Sequence, residues 1–259
     1  LIAKIETLQA VKNFDEIIQA SDGVMVARGD LGVEIALEEI PAIQKEIISK
    51  ANLNARPVIT ATQMLKSMVE SRRPTRAEVT DVANAIYDGT DAVMLSEETA
   101  IGKYPVEAVK MMTKIAVRAE ENLTKFQRRF GTQSEIIPSK NIPEAISLSA
   151  YQMSEELKVK AIITPTRTGY TTKLVSRFRP KAQILALSPL PETIKKLSLV
   201  WGVEAYLVPN MENAPDLLNL ARDYAKRILK LKKGELIVIT AGLPITTPPT
   251  TNLVKLERI

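Results

Sequence analysis

The stretch Gly23-Val24-Met25-Val26-Ala27-Arg28-Gly29-Asp30-Leu31-Gly32 is the clearest sign of how this chain folds. It joins a short apolar strand to a turn with two glycines, and a helix is predicted soon after. Three other segments of the first half repeat this order of strand and helix. Such alternation predicts βα units and a parallel sheet. The four predicted strands are Ile2–Glu6, Gly23–Ala27, Pro57–Ala61 and Ala92–Leu95.

Helical periodicity follows each of these strands. The predicted helical segments are Gln9–Gln19, Glu38–Ala51, Met64–Val69, Arg76–Tyr87 and Val106–Asn122. Four βα units make half of a (β/α)8 TIM barrel. Half a barrel leaves two unpaired strand edges, so either other material completes it or the sheet is an open one. Because the chain starts inside its first predicted strand, without Met, we expect it to be part of a longer protein.

The second half is predicted to form a separate α/β domain. Pro, Gly and paired Arg residues interrupt the pattern between Lys125 and Pro143, as is typical of a domain boundary. Four helices are then predicted at Glu144–Leu157, Thr171–Phe178, Pro191–Leu199 and Ala214–Leu231, and five strands at Ala161–Thr164, Gln183–Leu187, Glu204–Val208, Leu236–Thr240 and Leu253–Leu256. We therefore predict an α/β protein with half a barrel in residues 1–125, a linker in 126–142, and a domain with a mixed, mostly parallel sheet in 143–259.

The composition restricts the chemistry. The 259 residues include no Cys and no His, which excludes disulfides, thiolate metal sites and an imidazole base. A bound metal is therefore expected to be a hard ion with oxygen ligands, such as Mg²⁺. Aromatic residues make up only 4% and do not interleave with basic clusters, which disfavours nucleic acid binding. The sequence has no apolar run near the roughly 18 residues of a membrane helix, and a cytoplasmic location is the default.

Lys4 and Glu6 are two residues apart in a predicted strand, so their side chains point to the same face. Glu6 would lie at the carboxyl end of that strand, where barrel enzymes build their sites, and Asp30 would come from the neighbouring strand. Two carboxylates with substrate oxygens make a typical Mg²⁺ site, and Lys4 would offer positive charge to a phosphoryl group. Taken alone, the dipeptide would more often be a structural ion pair; its combination with Asp30 favours a site.

Three further segments at strand ends are open to two interpretations. The turn at Ala27–Gly32 provides backbone N–H groups for a carboxylate or phosphate, or is a plain turn in which Asp30 caps a helix. Thr62 ends the third strand, where a hydroxyl could relay a proton, bind an oxyanion or cap a helix. Ser96-Glu97-Glu98-Thr99 favours capping. Thr166–Thr172 combines hydroxyls, a glycine and a helix start, which fits a phosphate cradle or a bare Thr-rich turn.

Taken in order, these segments resemble the pyruvate kinase family over nearly the whole chain. The motifs that carry the resemblance are Ile2-Ala3-Lys4-Ile5-Glu6, Met25-Val26-Ala27-Arg28-Gly29-Asp30-Leu31-Gly32, Ala61-Thr62-Gln63-Met64-Leu65, Arg73-Pro74-Thr75-Arg76-Ala77-Glu78, Asp81-Val82-Ala83-Asn84-Ala85, Asp88-Gly89-Thr90-Asp91-Ala92-Val93-Met94-Leu95-Ser96 and Lys103-Tyr104-Pro105. The resemblance implies the last four units of the family's catalytic barrel followed by its C-terminal α/β domain.

The resemblance also implies an activity, namely phosphoryl transfer from phosphoenolpyruvate to ADP, giving pyruvate and ATP in glycolysis. The expected cofactor is Mg²⁺ or Mn²⁺, with K⁺ whose ligands would lie mostly in an N-terminal half that this chain lacks. The segment alone is therefore expected to be inactive. The complete protein is expected to be a cytoplasmic homotetramer that binds neither nucleic acid nor membranes, and to respond to a phosphorylated allosteric effector.

Residue roles follow from the matching motifs. By resemblance, Lys4 stabilises the phosphoryl group in transit, and Glu6 and Asp30 ligate the metal. The backbone of Ala27, Arg28 and Gly29, together with Asp30, would hold the substrate carboxylate or its metal shell. Thr62 would relay a proton to the enol carbon. The effector would bind at Thr166, Arg167, Thr168, Gly169, Tyr170 and Thr171.

Two departures from the family pattern affect these expectations. Glu97 stands where the family commonly has Gly, which adds a carboxylate and bulk near the rim. The later loop, Gly242–Thr251, carries no Arg, Lys or Trp, which argues against a bisphosphate effector but leaves a monophosphate sugar or nucleotide open. The alternatives are a non-enzymatic effector-binding or interaction module derived from a pyruvate kinase, and another phosphate-handling α/β barrel enzyme.

Overall fold

The computed structural model describes residues 1–130, 139, 141–245 and 251–259. The chain divides into two compact units, Leu1–Ile136 and Ile137–Ile259. Each unit contains its own sheet with helices packed against it, so each is described by itself.

The sheet of the first unit is parallel throughout. Its strands are β1 (Ile2–Ile5), β2 (Gly23–Ala27), β3 (Val58–Ala61) and β4 (Ala92–Met94), and they pair in the order β1-β2-β3-β4. Each strand therefore lies beside the one that precedes it in sequence, as right-handed βα units require. All four carboxyl ends meet at one edge of the sheet, and the prediction of a parallel βα unit series is confirmed.

Seven helices are described in this unit. They are α1 (Leu8–Lys12), α2 (Phe14–Ala20), α3 (Arg28–Glu34), α4 (Ile40–Leu53), α5 (Arg76–Asp88), α6 (Glu97–Ala100) and α7 (Pro105–Phe130), with short 3-10 turns at Leu37–Glu39 and Lys66–Val69. The single helix predicted over Gln9–Gln19 is in fact two helices that meet at Asn13. The Asn13 N–H donates to the Gln9 carbonyl and so closes α1. The Asn13 carbonyl accepts the Ile17 N–H and so opens α2.

The segment predicted as a glycine turn is the helix α3 itself. It begins at Arg28, directly after β2, and Ala27 is its N-cap residue. A Cβ atom at Gly32 would come within 3.1 Å of Leu37 and 3.3 Å of Ile40, so the glycine allows the following segment to pack closely. The prediction was wrong because two glycines usually signal a turn, whereas here Gly32 is required by packing.

The core of the first unit lies between the sheet and the helices that follow its first two strands. Val24 and Val26 of β2 and Ile18 of α2 are fully buried, as is Ile48 of α4. Burial of each such aliphatic side chain contributes roughly 1.5–3 kcal/mol. This packing fixes the strand ends against the helix starts, which is where polar side chains collect.

The second unit contains a five-stranded mixed sheet. Its strands are β5 (Ala161–Pro165), β6 (Gln183–Ser188), β7 (Val203–Leu207), β8 (Leu236–Ala241) and β9 (Leu253–Arg258), in the order β7-β6-β5-β8-β9. Only β9 is antiparallel, to β8. The helices are α8 (Ile142–Glu156), α9 (Tyr170–Ser176), α10 (Pro191–Leu197) and α11 (Ala214–Leu229). The predicted mixed, mostly parallel sheet is confirmed.

Both faces of this sheet are covered. Along β5, Ile163 packs in the cluster that includes Ala221 of α11, whereas Ile162 packs in the cluster that includes Ala150 of α8. Successive residues of β5 thus point to opposite faces of the sheet and pack into two separate core layers, as in other sheets with helices on each side.

Two predicted segments lie partly outside the described residues. Within the predicted linker 126–142, helix α7 continues to Phe130 and α8 begins at Ile142, and residues 131–138 and 140 are not described. Residues 246–250 of the predicted Gly242–Thr251 loop are not described either. The predicted domain limits remain a prediction. Among the described residues, no helix has the length and apolar character needed to span a membrane.

Candidate functional site

A cation and two carboxylates meet at the carboxyl edge of the first sheet. The Lys4 Nζ atom lies 2.6 Å from Glu6 Oε2 and 3.7 Å from Asp30 Oδ2. Lys4 and Glu6 project from the end of β1, and Asp30 lies in the first turn of α3, which follows β2. All three side chains are partly exposed, so this cluster is open to solvent and to a ligand.

The charges in this cluster stabilise one another. The hydrogen bond and ion pair with Glu6 raise the pKa of Lys4 above its ordinary value, and Asp30 adds a smaller contribution. The Glu6 Oε2 atom is itself buried, and the Lys4 ammonium lies 2.6 Å from it. The described residues contain no group of three or more Asp or Glu that could hold a metal, so Glu6 and Asp30 offer a partial set of ligands.

Thr62 lies beside this cluster in an uncommon backbone conformation. Its φ angle is 70° and that of Gln63 is 53°, both in the left-handed region. A β-branched residue rarely adopts this region, and the conformation costs about 1–3 kcal/mol. The Thr62 hydroxyl donates to the Ala61 carbonyl at 2.6 Å and accepts the Gly29 N–H at 2.8 Å. It therefore caps helix α3 from the neighbouring strand end.

Arg28 supports the same segment with its side chain. The guanidinium donates to the carbonyl oxygens of Ala61 at 3.3 Å and Thr62 at 2.8 Å, and to Asp81 Oδ1 of α5 at 2.7 Å. Its side chain is only 13% exposed. A planar guanidinium presents five donors in a fixed fork, whereas the lysine ammonium places its donors on a single nitrogen and cannot span the same acceptors. Arg28 thus joins helix α3, the end of β3 and helix α5.

Glu98 joins the segment that follows β3 to the segment that follows β4. It is 1% exposed, and its two carboxylate oxygens accept the Leu65 N–H at 2.9 Å and the Ser96 N–H at 2.8 Å. The sequence favoured helix capping by Ser96, but its side chain makes no capping hydrogen bond to α6. The backbone N–H of Ser96 donates to Glu98. The neighbouring Glu97 is half exposed and pairs with Lys66.

The second candidate site lies in the other unit, between β5 and α9. Thr166 Oγ1 accepts the Gly169 N–H at 2.9 Å, and Thr168 Oγ1 accepts the Tyr170 N–H at 3.4 Å. Gly169 has a φ of 79°, and a Cβ there would lie 3.0 Å from the Leu197 side chain, so this position favours glycine. These bonds hold the loop in a tight turn and engage the hydroxyls of Thr166 and Thr168 within it.

Two more residues of this loop contact other strand-end segments. Thr171 Oγ1 hydrogen-bonds Thr251 Oγ1, which follows β8. Arg167 Nη1 donates to Asn210 Oδ1 at 3.1 Å, next to a cavity of about 240 Å³ lined by the segments that follow β5, β6, β7 and β8. An arginine at the mouth of a cavity is suited to an anionic group.

The sequence did not indicate that the side chains of Arg28 and Glu98 hold neighbouring segments together, and we call these two side chains the clamps. It assigned a role to the Arg28 backbone but none to its guanidinium, and it named neither Asp81 nor Glu98 as part of a site. The sequence offers a run of two carboxylates after β4, Glu97-Glu98, but it does not indicate that Glu98 is buried. The sequence did indicate Lys4, Glu6, Asp30 and Thr62 at the first edge as candidates.

Two family models match the chain. The model described as "Pyruvate kinase, barrel domain" matches residues 1–109, and "Pyruvate kinase, alpha/beta domain" matches residues 144–257. A pyruvate kinase of Geobacillus stearothermophilus is 50% identical over 259 residues, which are 100% of this chain and 44% of that protein. A pyruvate kinase of Thermococcus litoralis is 48% identical over 261 residues, which cover 100% of this chain and 54% of that protein.

A solved structure gives the same result. The crystal structure of a pyruvate kinase from Cryptosporidium parvum matches with a TM-score of 0.89 and 42% identity, over 99% of this chain and 51% of that one. The chain thus spans about half the length of the relatives it matches. With both of its α/β units matched in order, the chain belongs to the pyruvate kinase family.

Proposed function

We propose that the protein acts as part of a pyruvate kinase, transferring the phosphoryl group of phosphoenolpyruvate to ADP to give pyruvate and ATP in glycolysis. The observation that carries this proposal is Lys4 between Glu6 and Asp30 at adjacent strand ends, with Thr62 beside them. Phosphoryl transfer depends mainly on positioning and on stabilising charge, which this set can provide without histidine.

Lys4 would stabilise the negative charge of the phosphoryl group as it moves. Glu6 and Asp30 would hold Mg²⁺ or Mn²⁺, ions that prefer carboxylate oxygens. Both carboxylates lie close to the same positive group, Lys4 Nζ, at 2.6 Å and 3.7 Å, which supports this assignment because it places them together. The metal would supply positive charge that neutralises the substrate oxygens.

The start of helix α3 would bind the substrate carboxylate through the backbone of Ala27, Arg28 and Gly29. Because the Gly29 N–H already donates to Thr62, a bound carboxylate would share that donor or displace the hydroxyl. A displaced Thr62 hydroxyl would be free to turn toward the enol carbon. This motion gives Thr62 a route to its proposed role in proton relay.

Further properties of the complete protein belong to the same proposal. They are a cytoplasmic location, K⁺ bound largely by residues outside this chain, and assembly as a homotetramer. We expect the chain by itself to be inactive, with half a barrel in residues 1–125, a linker in 126–142 and a regulatory domain in 143–259.

A metal-binding variant tests the catalytic proposal in the complete protein. Glu6→Gln should abolish turnover of phosphoenolpyruvate with ADP and weaken Mg²⁺ binding measured by calorimetry. The matched control is Glu46→Gln, an exposed carboxylate on α4 that pairs with Lys50, and it should behave as wild type. Normal turnover by Glu6→Gln, or no turnover by the wild-type protein, would overturn the proposal.

We also propose that Thr166, Arg167, Thr168, Gly169, Tyr170 and Thr171 bind a phosphorylated effector. The tight turn held by Gly169 and the half-buried Arg167 beside the cavity support this role. A sugar monophosphate should lower the phosphoenolpyruvate concentration needed for half-maximal rate in the wild type but not in Arg167→Ala. An exposed control, Arg118→Ala on α7, should keep the response. Equal responses in all three proteins would contradict the assignment.

A further inference from the structure

The segment that follows β3 needs support from outside itself. Thr62 and Gln63 both have left-handed backbone angles, and the next two residues, Met64 and Leu65, are fully buried. Such a conformation persists only where its surroundings fix it. One side is fixed by Arg28, which donates to the Thr62 carbonyl and to the Met64 sulfur, each at 2.8 Å.

Glu98 fixes the other side. Its Oε1 atom accepts the Leu65 N–H at 2.9 Å and its Oε2 atom accepts the Ser96 N–H at 2.8 Å. Leu65 follows β3 and Ser96 follows β4, so one carboxylate joins the ends of two adjacent strands. Each oxygen accepts one N–H group. A shorter side chain, or an amide in place of the carboxylate, would therefore lose one of the two hydrogen bonds.

The burial of Glu98 is unusual for a residue with a purely structural task. Within the described part of the chain it forms no ion pair, although it is 1% exposed. Removing a carboxylate from water without a cation is unfavourable, and neutral side chains can join two loops at lower cost. An ionised carboxylate accepts two N–H groups more strongly and holds them more rigidly than a neutral group does.

We propose that Glu98 is a positioning residue for the reaction, and that it sets the place of the Thr62 hydroxyl relative to Lys4, Glu6 and Asp30. It does not touch the substrate; it acts through Leu65 and the left-handed segment that begins at Thr62. This inference rests on the proposed phosphoryl transfer. Proton transfer should depend on Glu98 more than substrate or metal binding does, because the hydrogen bonds of Glu98 go to Leu65 and Ser96 and not to Lys4, Glu6 or Asp30.

The test uses the complete protein and two variants. Glu98→Gln keeps the shape but offers one acceptor for two N–H groups, and Glu98→Asp keeps the charge but is too short to reach both. Both variants should slow exchange of the C3 hydrogens of pyruvate with deuterated water, followed by NMR in the presence of Mg²⁺ and ATP. The expected loss is roughly tenfold to a hundredfold, since small misplacements of a catalytic group have effects of this size. KM for phosphoenolpyruvate and the affinity for Mg²⁺ should stay near wild type.

The matched control is Glu97→Gln, one residue earlier on the same short helix but half exposed; its exchange rate should be unchanged. If Glu98→Gln fails to fold, Glu98→Asp decides. A wild-type rate of C3 hydrogen exchange in either folded Glu98 variant would overturn the inference. So would a loss of substrate or Mg²⁺ affinity as large as the loss of exchange rate. Loss of wild-type turnover would overturn the proposed function as well, whereas the other outcomes leave that function intact.

Discussion

The Gly29 N–H donates a 2.8 Å hydrogen bond to Thr62 Oγ1, which joins the first turn of helix α3 to the end of strand β3. The two residues are 33 positions apart in sequence, and neither carries a charge. The bond brings a left-handed threonine against the helix that bears Asp30, one residue further along. The hydroxyl proposed to relay a proton is thus also a structural cap.

Removal of the Thr62 hydroxyl should therefore loosen helix α3 even without substrate. In Thr62→Val the Gly29 N–H loses its acceptor, which should cost about 1–3 kcal/mol in the local opening of the helix. Hydrogen–deuterium exchange of a peptide covering residues 28–34 should become faster. Thr62→Ser keeps the hydroxyl and should exchange as slowly as wild type. Equal protection in Thr62→Val and Thr62→Ser would show that the bond contributes nothing.

Arg28 should not be replaceable by lysine. Lys can offer one ammonium group where the guanidinium reaches the Ala61 and Thr62 carbonyls and Asp81 together. We expect Arg28→Lys to lower the free energy of unfolding by about 2 kcal/mol, because hydrogen bonds from a largely buried charged group are lost. Urea unfolding of the complete protein provides the measurement. Arg118→Lys on the exposed face of α7 is the control and should cost little; an equal loss in both variants would argue against the clamp.

The sequence predicted the strands well because each is a short apolar run bounded by turn residues. Gly23–Ala27 was predicted with the limits that the structure has. The pairing of Lys4 with Glu6 also followed from local spacing, since side chains two apart in a strand share a face. The clamps could not be predicted in this way. Arg28 meets Asp81 across 53 residues, and Glu98 meets Leu65 across 33, so these contacts exist only after the strands have paired.

The misread turn at Arg28–Gly32 has the same origin. Two glycines within five residues favour a turn on local grounds. In the structure Gly32 leaves room for Leu37 and Ile40, and the helix is capped from outside by Thr62. Tertiary packing therefore overrides the local preference at the segment that bears Asp30.

Glu78 should make the first unit sensitive to acid. Burial by itself would raise the pKa of Glu78, but hydrogen bonds from Ser67 and Thr75 outweigh it and hold the pKa below the ordinary 4.5. The stabilisation is therefore fully present above the unfolded-state pKa and is lost as the pH falls through the lowered folded-state value. Glu78→Gln should be less stable than wild type at pH 7, and this difference should close as the pH falls from 4.5 through the lowered folded-state pKa.

The measurement for Glu78 is the thermal unfolding midpoint of both proteins across that pH range. Glu78 completes a capping box with Thr75 at the start of α5. We expect its loss to lower the free energy of unfolding by about 1 kcal/mol at neutral pH. Glu46→Gln, on the exposed side of α4, serves as the control and should show a small, nearly pH-independent difference. A gap between Glu78→Gln and wild type that is as wide in acid as at pH 7 would contradict the linkage.

Gly89 should tolerate alanine less well than a second glycine with a similar backbone angle. Gly89 ends α5 with a φ of 100°, and an added Cβ would lie 2.7 Å from the Asn52 amide nitrogen. That amide donates to the Gly89 carbonyl at 3.0 Å, so a methyl group would push it away and break the bond.

Gly234 has a φ of 94° with nothing near its Cβ position. Both alanine variants carry the backbone penalty of about 1–2 kcal/mol for a Cβ at a positive φ, and Gly89→Ala should lose about another 1 kcal/mol for the bond. Urea unfolding of the complete protein measures both, and equal losses would mean that Asn52 does not stabilise the end of α5.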